Sequence, residues 1–316
     1  MSGTVVVTAV GGGVGQSVLK CLKGSPWRTV GVDLSTRAAG LYLADHGYVG
    51  KPAVDPGFVP RLIEICRETE ASYLFPGMDA ELIPLAEHAE AFAEVGTRLV
   101  VSTLEVLRLS DDKLALHRFL ESRGFATIPT AATLDEAEAR LGPPYLIKPA
   151  VGCRSIGVRR VARLEQVELA PGEIIQQYIP GDEYTCGSVS FDGQPLGIIA
   201  MRRELRAGDT YKASVDQNSV VLEYVADLIR LMRPFGPCNF QLKLHDGRPY
   251  LLEINARCSG TTAARKLAGF NEPLITINHL EGNPSLPIEI QPIEVYRYWN
   301  EVKVRDEDRD NIHPAD

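Results

Sequence analysis

Short apolar runs alternate with amphipathic segments over the first hundred residues. Thr4–Val10 is a largely β-branched run, which is typical of a strand buried on both faces of a sheet. Thr29–Asp33, Ser72–Pro76 and Arg98–Ser102 are shorter runs, and each follows a segment with helical periodicity. The predicted helices are Val14–Leu22, one that begins at Pro56, and Glu81–Phe92. The alternation predicts a doubly wound α/β domain around a parallel sheet.

The pattern changes near residue 110, where hairpins replace the βα alternation. Ser110 is predicted to cap a helix that stops at Gly124, and Ser219 to cap a helix from Val220 to about Met232. Asp192-Gly193 is a strong two-residue hairpin turn. The charged tail after Val304 is expected to fray. The predicted strands are Tyr145–Pro149, Val158–Val161, Ile174–Ile179, Glu183–Phe191 and Leu196–Met201.

The last hairpin, Cys238–Gly260, carries the strongest chemical signal. It sets Gln241, Glu253, Asn255 and Arg257 on strands that otherwise hold core-forming residues. Polar groups at such positions are costly unless they have a partner, so a plain surface face is the weaker interpretation. Oxygen ligands suit Mg²⁺, and arginine suits a phosphoryl group. The hairpin therefore predicts a magnesium–nucleotide site.

The register of this hairpin decides whether that site can form. A two-residue Asp246-Gly247 turn in a regular ladder would pair Gln241 with Leu252 and send Glu253 to the opposite face. Ligation by both Gln241 and Glu253 requires an odd-length loop or a bulge. We expect the three-residue loop Asp246-Gly247-Arg248, against the usual preference for the two-residue turn.

A phosphate-binding element is predicted at the end of the strand that contains Lys148. The loop after it, Ala150–Gly157, has glycines and carries Arg154 and Ser155, and Lys113 lies upstream at a helix start. A lysine beside such a loop can hold phosphates by its charge and through backbone N–H groups. The spacing is not that of a P-loop. Alone, Lys148 would be an ordinary solvated lysine; its neighbouring motifs favour the phosphate role.

The segment IIQQYIPGDEYTCG suggests where a nucleoside would lie. The backbone of Gln177–Ile179 could pair with an adenine edge, and Glu183 could bind ribose hydroxyls. The alternative is an ordinary hairpin with a solvent-facing acid.

The N-terminal turn Ala9–Ser17 follows a strand and opens a helix, with Asp33 at the end of the next strand. This context fits dinucleotide binding, but Gln16 stands where the third glycine of the fingerprint belongs. We therefore expect no nicotinamide cofactor, and expect this domain to form one wall of a substrate cleft.

Composition narrows the function classes. The net charge of −8 over 316 residues argues against nucleic acid as a partner. No apolar run is long enough for a membrane helix, and no basic segment precedes the first strand. The six scattered cysteines indicate reduced thiols in a cytoplasmic protein, and Cys153 and Cys258 near the site are interpreted as structural. A homodimer is left open.

These motifs, in this order, resemble the ATP-grasp superfamily, most closely its carbamoyl-phosphate-synthetase-like branch of amide-forming ligases. The resemblance implies an α/β, Rossmann-like pre-ATP-grasp domain (1–108), followed by an α+β, two-lobed ATP-grasp fold (109–180 and 181–304) and a charged tail (305–316). It departs from the family pattern at Gln241 and Gln176, where many members have acids, and in a loop poor in glycine. The implied site is Lys113, Lys148 and Ser155 at the phosphates, Gln176, Gln177, Tyr178, Ile179 and Glu183 at adenine and ribose, Gln241, Glu253 and Asn255 at Mg²⁺ or Mn²⁺, and Arg257 beside the γ-phosphate.

The chemistry so implied is ATP-dependent joining of a carboxylate to an amine through an acyl phosphate, with Arg257, Lys148 and Asn255 as catalytic groups. Surplus positive charge suits a carboxylate substrate such as an amino acid. Two other hypotheses are a silent nucleotide-binding module and, less favoured, an NAD(P)-dependent oxidoreductase. The candidate substrate contacts are Arg202, Arg203, Lys212, Ser259, Gly260 and Arg265.

Overall fold

The computed structural model describes residues 2–152, 157–284 and 287–315. The helices are α1 Gly13–Leu22, α2 Phe58–Glu68, α3 Asp79–Glu87, α4 Ala89–Glu94, α5 Leu104–Asp111, α6 Lys113–Ser122, α7 Leu134–Arg140, α8 Ser219–Met232, α9 Thr262–Leu267, α10 Glu272–Leu280 and α11 Asp306–Arg309, with a 3-10 turn at Ala39–Tyr42. The strands are β1 Thr4–Val7, β2 Arg28–Asp33, β3 His46–Val49, β4 Ala71–Phe75, β5 Arg98–Leu99, β6 Thr130–Ala131, β7 Tyr145–Pro149, β8 Arg159–Val161, β9 Glu173–Gln177, β10 Asp182–Phe191, β11 Gln194–Arg206, β12 Asp209–Val215, β13 Gly236–His245, β14 Arg248–Asn255, β15 Glu294–Tyr296 and β16 Ile312–His313.

The N-terminal sheet is parallel throughout, with strand order β16-β3-β2-β1-β4-β5. Its central strand β1 is covered on both faces: Val5 and Val7 pack into one core cluster and Val6 into another. A continuous apolar run is what such double burial requires. The predicted α/β architecture of this part is confirmed.

Two details of this domain differ from the sequence-based expectation. The predicted helix Glu81–Phe92 is two helices, α3 and α4, separated at His88, whose φ of −117° is not helical. Strand β3 was not predicted, because its four residues, HGYV, are too few to show a periodic pattern.

The C-terminal tail does not fray, contrary to expectation. Strand β16 pairs with β3, His313 stacks on Tyr48 with ring centroids 4.3 Å apart, and Arg61 Nη2 donates to the Pro314 carbonyl at 2.7 Å. An edge strand exposes unpaired backbone groups, and the tail covers that edge of β3. The charged composition of the tail gave no sign of this long-range pairing.

The rest of the chain forms two antiparallel sheets. A small sheet, β6-β9-β7-β8, encloses its own core around Ile147 and Ile175. The large sheet, β14-β13-β10-β11-β12-β15, packs one face on α8 and on the α5–α6 region, and the other on α9 and α10. The predicted two-lobed arrangement after the α/β domain is thus present.

Two helix caps lie one or two residues from their predicted positions. Asp112 caps α6, because its Oδ1 accepts from the backbone N–H groups of Leu114 at 2.9 Å and Ala115 at 3.1 Å. Ser110 instead donates to the Val106 carbonyl at 2.7 Å in the last turn of α5. Asn218, rather than Ser219, caps α8. An Asx side chain is as good a cap as serine, so neighbouring polar residues compete for the position.

The hairpin β13–β14 pairs Gln241 with Glu253 and Asn239 with Asn255, as predicted, but a bulge and not a three-residue loop produces this register. His245 pairs with Arg248, so the turn has two residues, Asp246 and Gly247, with φ of 49° and 72°; the prediction of a three-residue loop is wrong. Gln241 nevertheless pairs with Glu253, because an extra residue, the bulged Leu252, shifts the register.

Core packing explains that bulge. Leu251 and Ile254 are three residues apart, yet both are buried on the core side, with exposed fractions of 0% and 3%. A regular strand places residues two apart on the same face, so only an irregularity can bury both. The bulge therefore satisfies the core and leaves Glu253 facing Gln241.

A carboxylate is buried beside the N-terminal sheet. Glu81 in α3 is 6% exposed, and its Oε2 accepts from Thr8 Oγ1 at 2.5 Å and from the Gly77 N–H at 3.1 Å. Burial raises the pKa of Glu81 to about 7, although those hydrogen bonds oppose the shift. Deprotonation near neutral pH thus works against folding.

We predict that Glu81→Gln stabilises the protein at pH 8 but has little effect at pH 5. A raised folded-state pKa means that wild-type stability is greatest below the unfolded value and falls as pH rises towards 7. The amide keeps the acceptor and cannot ionise, which is worth on the order of 2 kcal/mol at pH 8. Thermal unfolding at both pH values measures this, with the exposed Glu90→Gln as control. An equal gain at both pH values would contradict the assignment.

Candidate nucleotide and metal site

Three amides meet on one face of the large sheet. Asn239 Nδ2 and Gln241 Nε2 both donate to Asn255 Oδ1, at 3.0 and 3.3 Å. Glu253 lies opposite Gln241 in the ladder, and its carboxylate has no hydrogen-bond or ion-pair partner among the described residues. The predicted sharing of one face by Gln241, Glu253 and Asn255 is confirmed.

This donor set fits a magnesium–nucleotide complex. Mg²⁺ takes oxygen ligands and is commonly held by one or two carboxylates together with substrate phosphates. Glu253 supplies a carboxylate that has no partner among the described residues. The amide oxygens of Gln241 and Asn255 lie on the same face, and they accept hydrogen bonds from Arg203 and from the neighbouring amides, respectively. Within the described ranges, no group of three or more His, Cys, Asp or Glu side chains is arranged so that it could hold a metal ion.

Lys148 reaches this region from the small sheet, at the end of β7. Burial lowers the pKa of Lys148 to about 8; the Lys113 charge adds to the shift, and the Glu253 carboxylate opposes it. Lys113, 7% exposed, donates through Nζ to the Gly152 carbonyl at 2.6 Å and is thereby tied to the start of the glycine-bearing loop. Ser155, predicted at the phosphates, lies outside the described residues, as do Cys153 and Arg154.

A buried histidine accompanies these lysines and was not predicted. His117 in α6 is fully buried, and its Nδ1 is hydrogen-bonded to Thr127 Oγ1. Burial, and then the charge of Lys148, lowers the pKa of His117 to about 3, so its ring is neutral. It follows Lys113 by one helical turn, a spacing that places both on one face of α6. In the sequence, this spacing from Lys113 is the one sign that His117 lies near the candidate site, and a single histidine in a helix is too weak a signal to predict that.

The predicted adenine segment is only partly available. The N–H of Gln177 donates to the Pro129 carbonyl at 3.0 Å, and that of Tyr178 to the Pro144 carbonyl at 2.8 Å. The Ile179 N–H has no partner in the part of the chain that the structure describes. The Tyr178 ring faces the Arg160 guanidinium, 4.1 Å from its centroid.

The side-chain amide of Gln176 has hydrogen-bonding capacity that is only partly used. Its side chain is fully buried, and Nε2 donates to Thr130 Oγ1 at 2.8 Å. Its Oε1 has no partner within the described ranges. A buried acceptor of this kind is costly unless a donor such as an amino group reaches it.

Arg203 belongs with the nucleotide and metal residues rather than with the other substrate candidates. Its Nε and Nη2 donate to Glu183 Oε1 at 3.0 and 2.6 Å, and Nη2 also donates to Gln241 Oε1 at 2.5 Å. Lys243 lies 3.2 Å from the same Glu183 carboxylate. The predicted ribose acid is therefore held between two cations, next to the predicted metal ligands.

Two other predicted substrate residues lie elsewhere. Arg202 points to the sheet face opposite Arg203, because successive strand residues alternate, and it pairs with the exposed Asp182 at 3.4 Å. Lys212 on β12 is paired with Glu204 at 3.2 Å and Glu294 at 3.0 Å. The structure does not bring Arg202 and Lys212 into the cluster, since strand phase and sheet position separate them from it.

The remaining substrate candidates are engaged in the turn before α9. The Ser259 hydroxyl lies 2.8 Å from Thr261 Oγ1, and the Gly260 carbonyl accepts from Ser17 Oγ at 3.1 Å. Arg265 is fully buried and pairs with Glu272 at 2.7 Å, so its prediction as a direct substrate contact is wrong. Sequence alone cannot distinguish a cleft arginine from a buried, paired one.

Arg257 is contacted by the N-terminal domain. It is 9% exposed, donates through Nη1 to the Cys258 carbonyl at 2.8 Å, and forms an ion pair through Nη2 with Asp79 at the start of α3. Asp79 was missed, although residues just after a parallel strand are favoured site positions. This ion pair places the start of α3 next to the polar cluster.

Cys258 near this region is not activated as a nucleophile. Burial raises the pKa of the Cys258 thiol well above its ordinary value, with a smaller contribution from Glu272. The five cysteines in the described ranges are all free and buried, in agreement with the prediction of reduced thiols.

The glycine turn of the N-terminal domain uses its acid internally. Asp33 accepts from the Gly11 N–H at 2.7 Å through Oδ2, and from the Leu34 N–H at 2.8 Å through Oδ1. In a dinucleotide fold this position holds ribose hydroxyls. Here the carboxylate fastens the turn itself.

The chain thus combines a Rossmann-like domain with two lobes whose facing residues form the candidate nucleotide site. Residues 7–100 match the family described as PylC-like, N-terminal domain, and residues 170–302 match that of an ATP-grasp in the biosynthetic pathway with Ter operon. The chain therefore contains an ATP-grasp domain, as its motifs indicated.

Curated relatives match part of the chain. It is 28% identical to the carbamoyl phosphate synthase large chain of Thermomicrobium roseum over 199 residues, 55% of this chain and 18% of the relative. It is 34% identical to D-alanine–D-alanine ligase A of Bacillus cereus over 144 residues, 39% of this chain and 46% of the relative. The matches thus span less than half the length of these relatives.

Solved structures share the fold along most of the chain. The N5-carboxyaminoimidazole synthetase of Staphylococcus aureus, complexed with ADP, gives a TM-score of 0.72 at 17% identity, over 92% of this chain and 80% of that one. The L-amino acid ligase of Bacillus licheniformis gives 0.72 at 17% identity, over 93% and 79%. Among the described helices none is long and apolar enough to cross a membrane.

We predict that Mg-ADP affinity falls as pH rises through about 8 in the wild-type protein. Lys148 carries its charge below that pH and loses it above, so affinity should drop about tenfold between pH 7 and 9.5. Lys148→Arg keeps the charge, and its affinity should vary much less over the same range. Calorimetric titration of both proteins measures this. Parallel pH profiles would contradict a phosphate-binding role for Lys148.

Proposed function

We propose that this protein is an ATP- and Mg²⁺-dependent ligase that joins a carboxylate to an amine through an acyl phosphate. The observation that carries the proposal is the convergence of two lobes: Gln241, Glu253 and Asn255 share one face of the large sheet, and Lys148 approaches from the small sheet. A half-buried lysine near a carboxylate that has no partner among the described residues suits a metal-bound triphosphate.

The residues divide the work of charge neutralisation and positioning. Lys148 and Lys113 place positive charge at the phosphates, and Arg257, held by Asp79, supports the oxygens of the transferring group and the acyl phosphate. Glu253, with the amides, would hold the metal, which when bound neutralises phosphate charge. No side-chain nucleophile takes part, so catalysis rests on orientation and preorganised charge.

The names of several similar proteins support an amino-acid-like substrate. D-alanine–D-alanine ligase and L-amino acid ligase are both named for joining amino acids. We extend that class to this chain: a carboxylate and an amine of amino-acid size, in a site whose arginines lie next to the polar cluster. Mn²⁺ is expected to replace Mg²⁺, since both accept oxygen ligands.

The oxidoreductase hypothesis is disfavoured by the glycine turn. Asp33, which would have to hold a ribose, instead accepts from the Gly11 N–H of the turn and from the N–H of its own neighbour Leu34. A silent nucleotide-binding module would hold Mg-ATP but release no ADP with any substrate, which the following experiment decides.

We predict ADP release in a screen of amino acids, singly and in pairs, and its loss in Lys148→Ala by at least about a hundredfold. The reason is removal of a half-buried cation from the phosphates, while the exposed Lys23→Ala should retain wild-type turnover. Unfolding temperatures of both variants establish that the fold is intact. Wild-type turnover in Lys148→Ala would remove the nucleotide assignment, and Mg-ATP binding without ADP release in any pair would favour the silent module.

A further inference from the structure

An ion pair is fully buried beneath the polar face of the large sheet. Arg265 in α9 and Glu272 in α10 are 0% and 1% exposed, and Arg265 Nη1 lies 2.7 Å from Glu272 Oε1. Thr262 Oγ1 also donates to Glu272, and Thr262 Oγ1 in turn accepts from the Ser259 N–H at 3.0 Å. Such a pair gives little net stability after desolvation, so its retention calls for another explanation.

The sheet makes room for this pair at one position. A Cβ on Gly187 would lie 2.2 Å from Glu272 Oε1 and 2.5 Å from Arg265 Nη1. Any residue larger than glycine at position 187 of β10 would displace the Arg265–Glu272 ion pair. The close approach brings the arginine against the same face of the strands that carries the polar cluster.

The second terminal nitrogen of the Arg265 guanidinium, Nη2, fixes the orientation of Asn239. Arg265 Nη2 donates to Thr185 Oγ1 at 2.8 Å and also to Asn239 Oδ1, and Thr185 Oγ1 donates to the same oxygen at 2.8 Å. A guanidinium has no acceptor, so the group of Asn239 that faces it must be the carbonyl oxygen. Asn239 Nδ2 is therefore turned towards Asn255 Oδ1, 3.0 Å away.

A second arginine imposes the same logic on the neighbouring amide. Arg203 Nη2 donates to Gln241 Oε1 at 2.5 Å, which turns Gln241 Nε2 to Asn255 Oδ1 at 3.3 Å. Two amides with assigned orientation thus both donate to one oxygen. Asn255 is held from two sides on the face that it shares with Glu253.

We propose that Arg265 is a positioning residue, which acts with Glu272 and Thr185 to set the orientation of Asn239 and, through it, of Asn255 in the metal–nucleotide site. This inference rests on the proposed function. A neutral amide can rotate and exchange the positions of its oxygen and its NH₂ group. The donors Asn239 Nδ2 and Gln241 Nε2 hold the Asn255 oxygen towards β13, and a rotated Asn239 would present its oxygen there instead. The buried charge removes that freedom.

The test is binding of Mn-ADP, followed by the electron paramagnetic resonance of Mn²⁺. The main variant is the double substitution Arg265→Met/Glu272→Gln, which leaves no unpaired buried charge. Partners behind the ligands typically contribute 10- to 100-fold in metal affinity, so we expect Mn-ADP affinity to fall by about tenfold. Metal-free ADP should bind as in the wild type. The control is Arg230→Met/Asp227→Asn, an exposed pair in α8.

A second variant keeps both charges and so protects against misfolding. Thr185→Val removes one donor to Asn239 and should weaken Mn-ADP binding several-fold, with Thr185→Ser restoring it. Folded variants that bind Mn-ADP as tightly as the wild type would overturn the inference, and so would an equal loss of metal-free ADP binding. If the wild-type protein itself binds no Mn-ADP, the proposed function fails instead.

Discussion

The register of the last hairpin is the constraint on which the candidate site depends. Leu251 and Ile254 must both enter the core, and the bulge at Leu252 absorbs the residue that a regular ladder could not place. The same irregularity sets Glu253 opposite Gln241 and Asn255 opposite Asn239. One packing requirement therefore produces a continuous core on one face and a polar cluster on the other.

The arginines in and around this cluster are paired with acids, in a protein whose net charge is −8. Arg203 is paired with Glu183, Arg257 with Asp79 and Arg265 with Glu272. Lys148 differs from these arginines: burial lowers its pKa, the Glu253 carboxylate raises it, and the two side chains form no ion pair among the described residues. A local concentration of oriented charge matters more for binding than the total.

Several long-range contacts join the N-terminal domain to the rest of the chain. Asp79 at the start of α3 meets Arg257 after β14, and β16 returns from the C-terminus to complete the N-terminal sheet. By contrast, the hydrogen bond from the Gly11 N–H to Asp33 holds the glycine turn against the end of β2. The N-terminal domain thus contacts the candidate site through Asp79, a side chain that follows a sheet strand.

Local patterns in the sequence determined the α/β domain, most strands of the two lobes, the polar identity of the hairpin and the family resemblance. These follow from periodicity and residue chemistry, which act over a few neighbouring positions. The sequence also contained the bulge, as the spacing of Leu251 and Ile254, but only burial shows that both face the core. Tertiary structure alone decided that Arg203 joins the nucleotide residues while Arg202 faces away, that Arg265 is buried, and that Asp79 reaches Arg257. The physical reason is that strand phase, sheet order and pairing across the chain assign each charge its partner, and none of these is a property of local sequence.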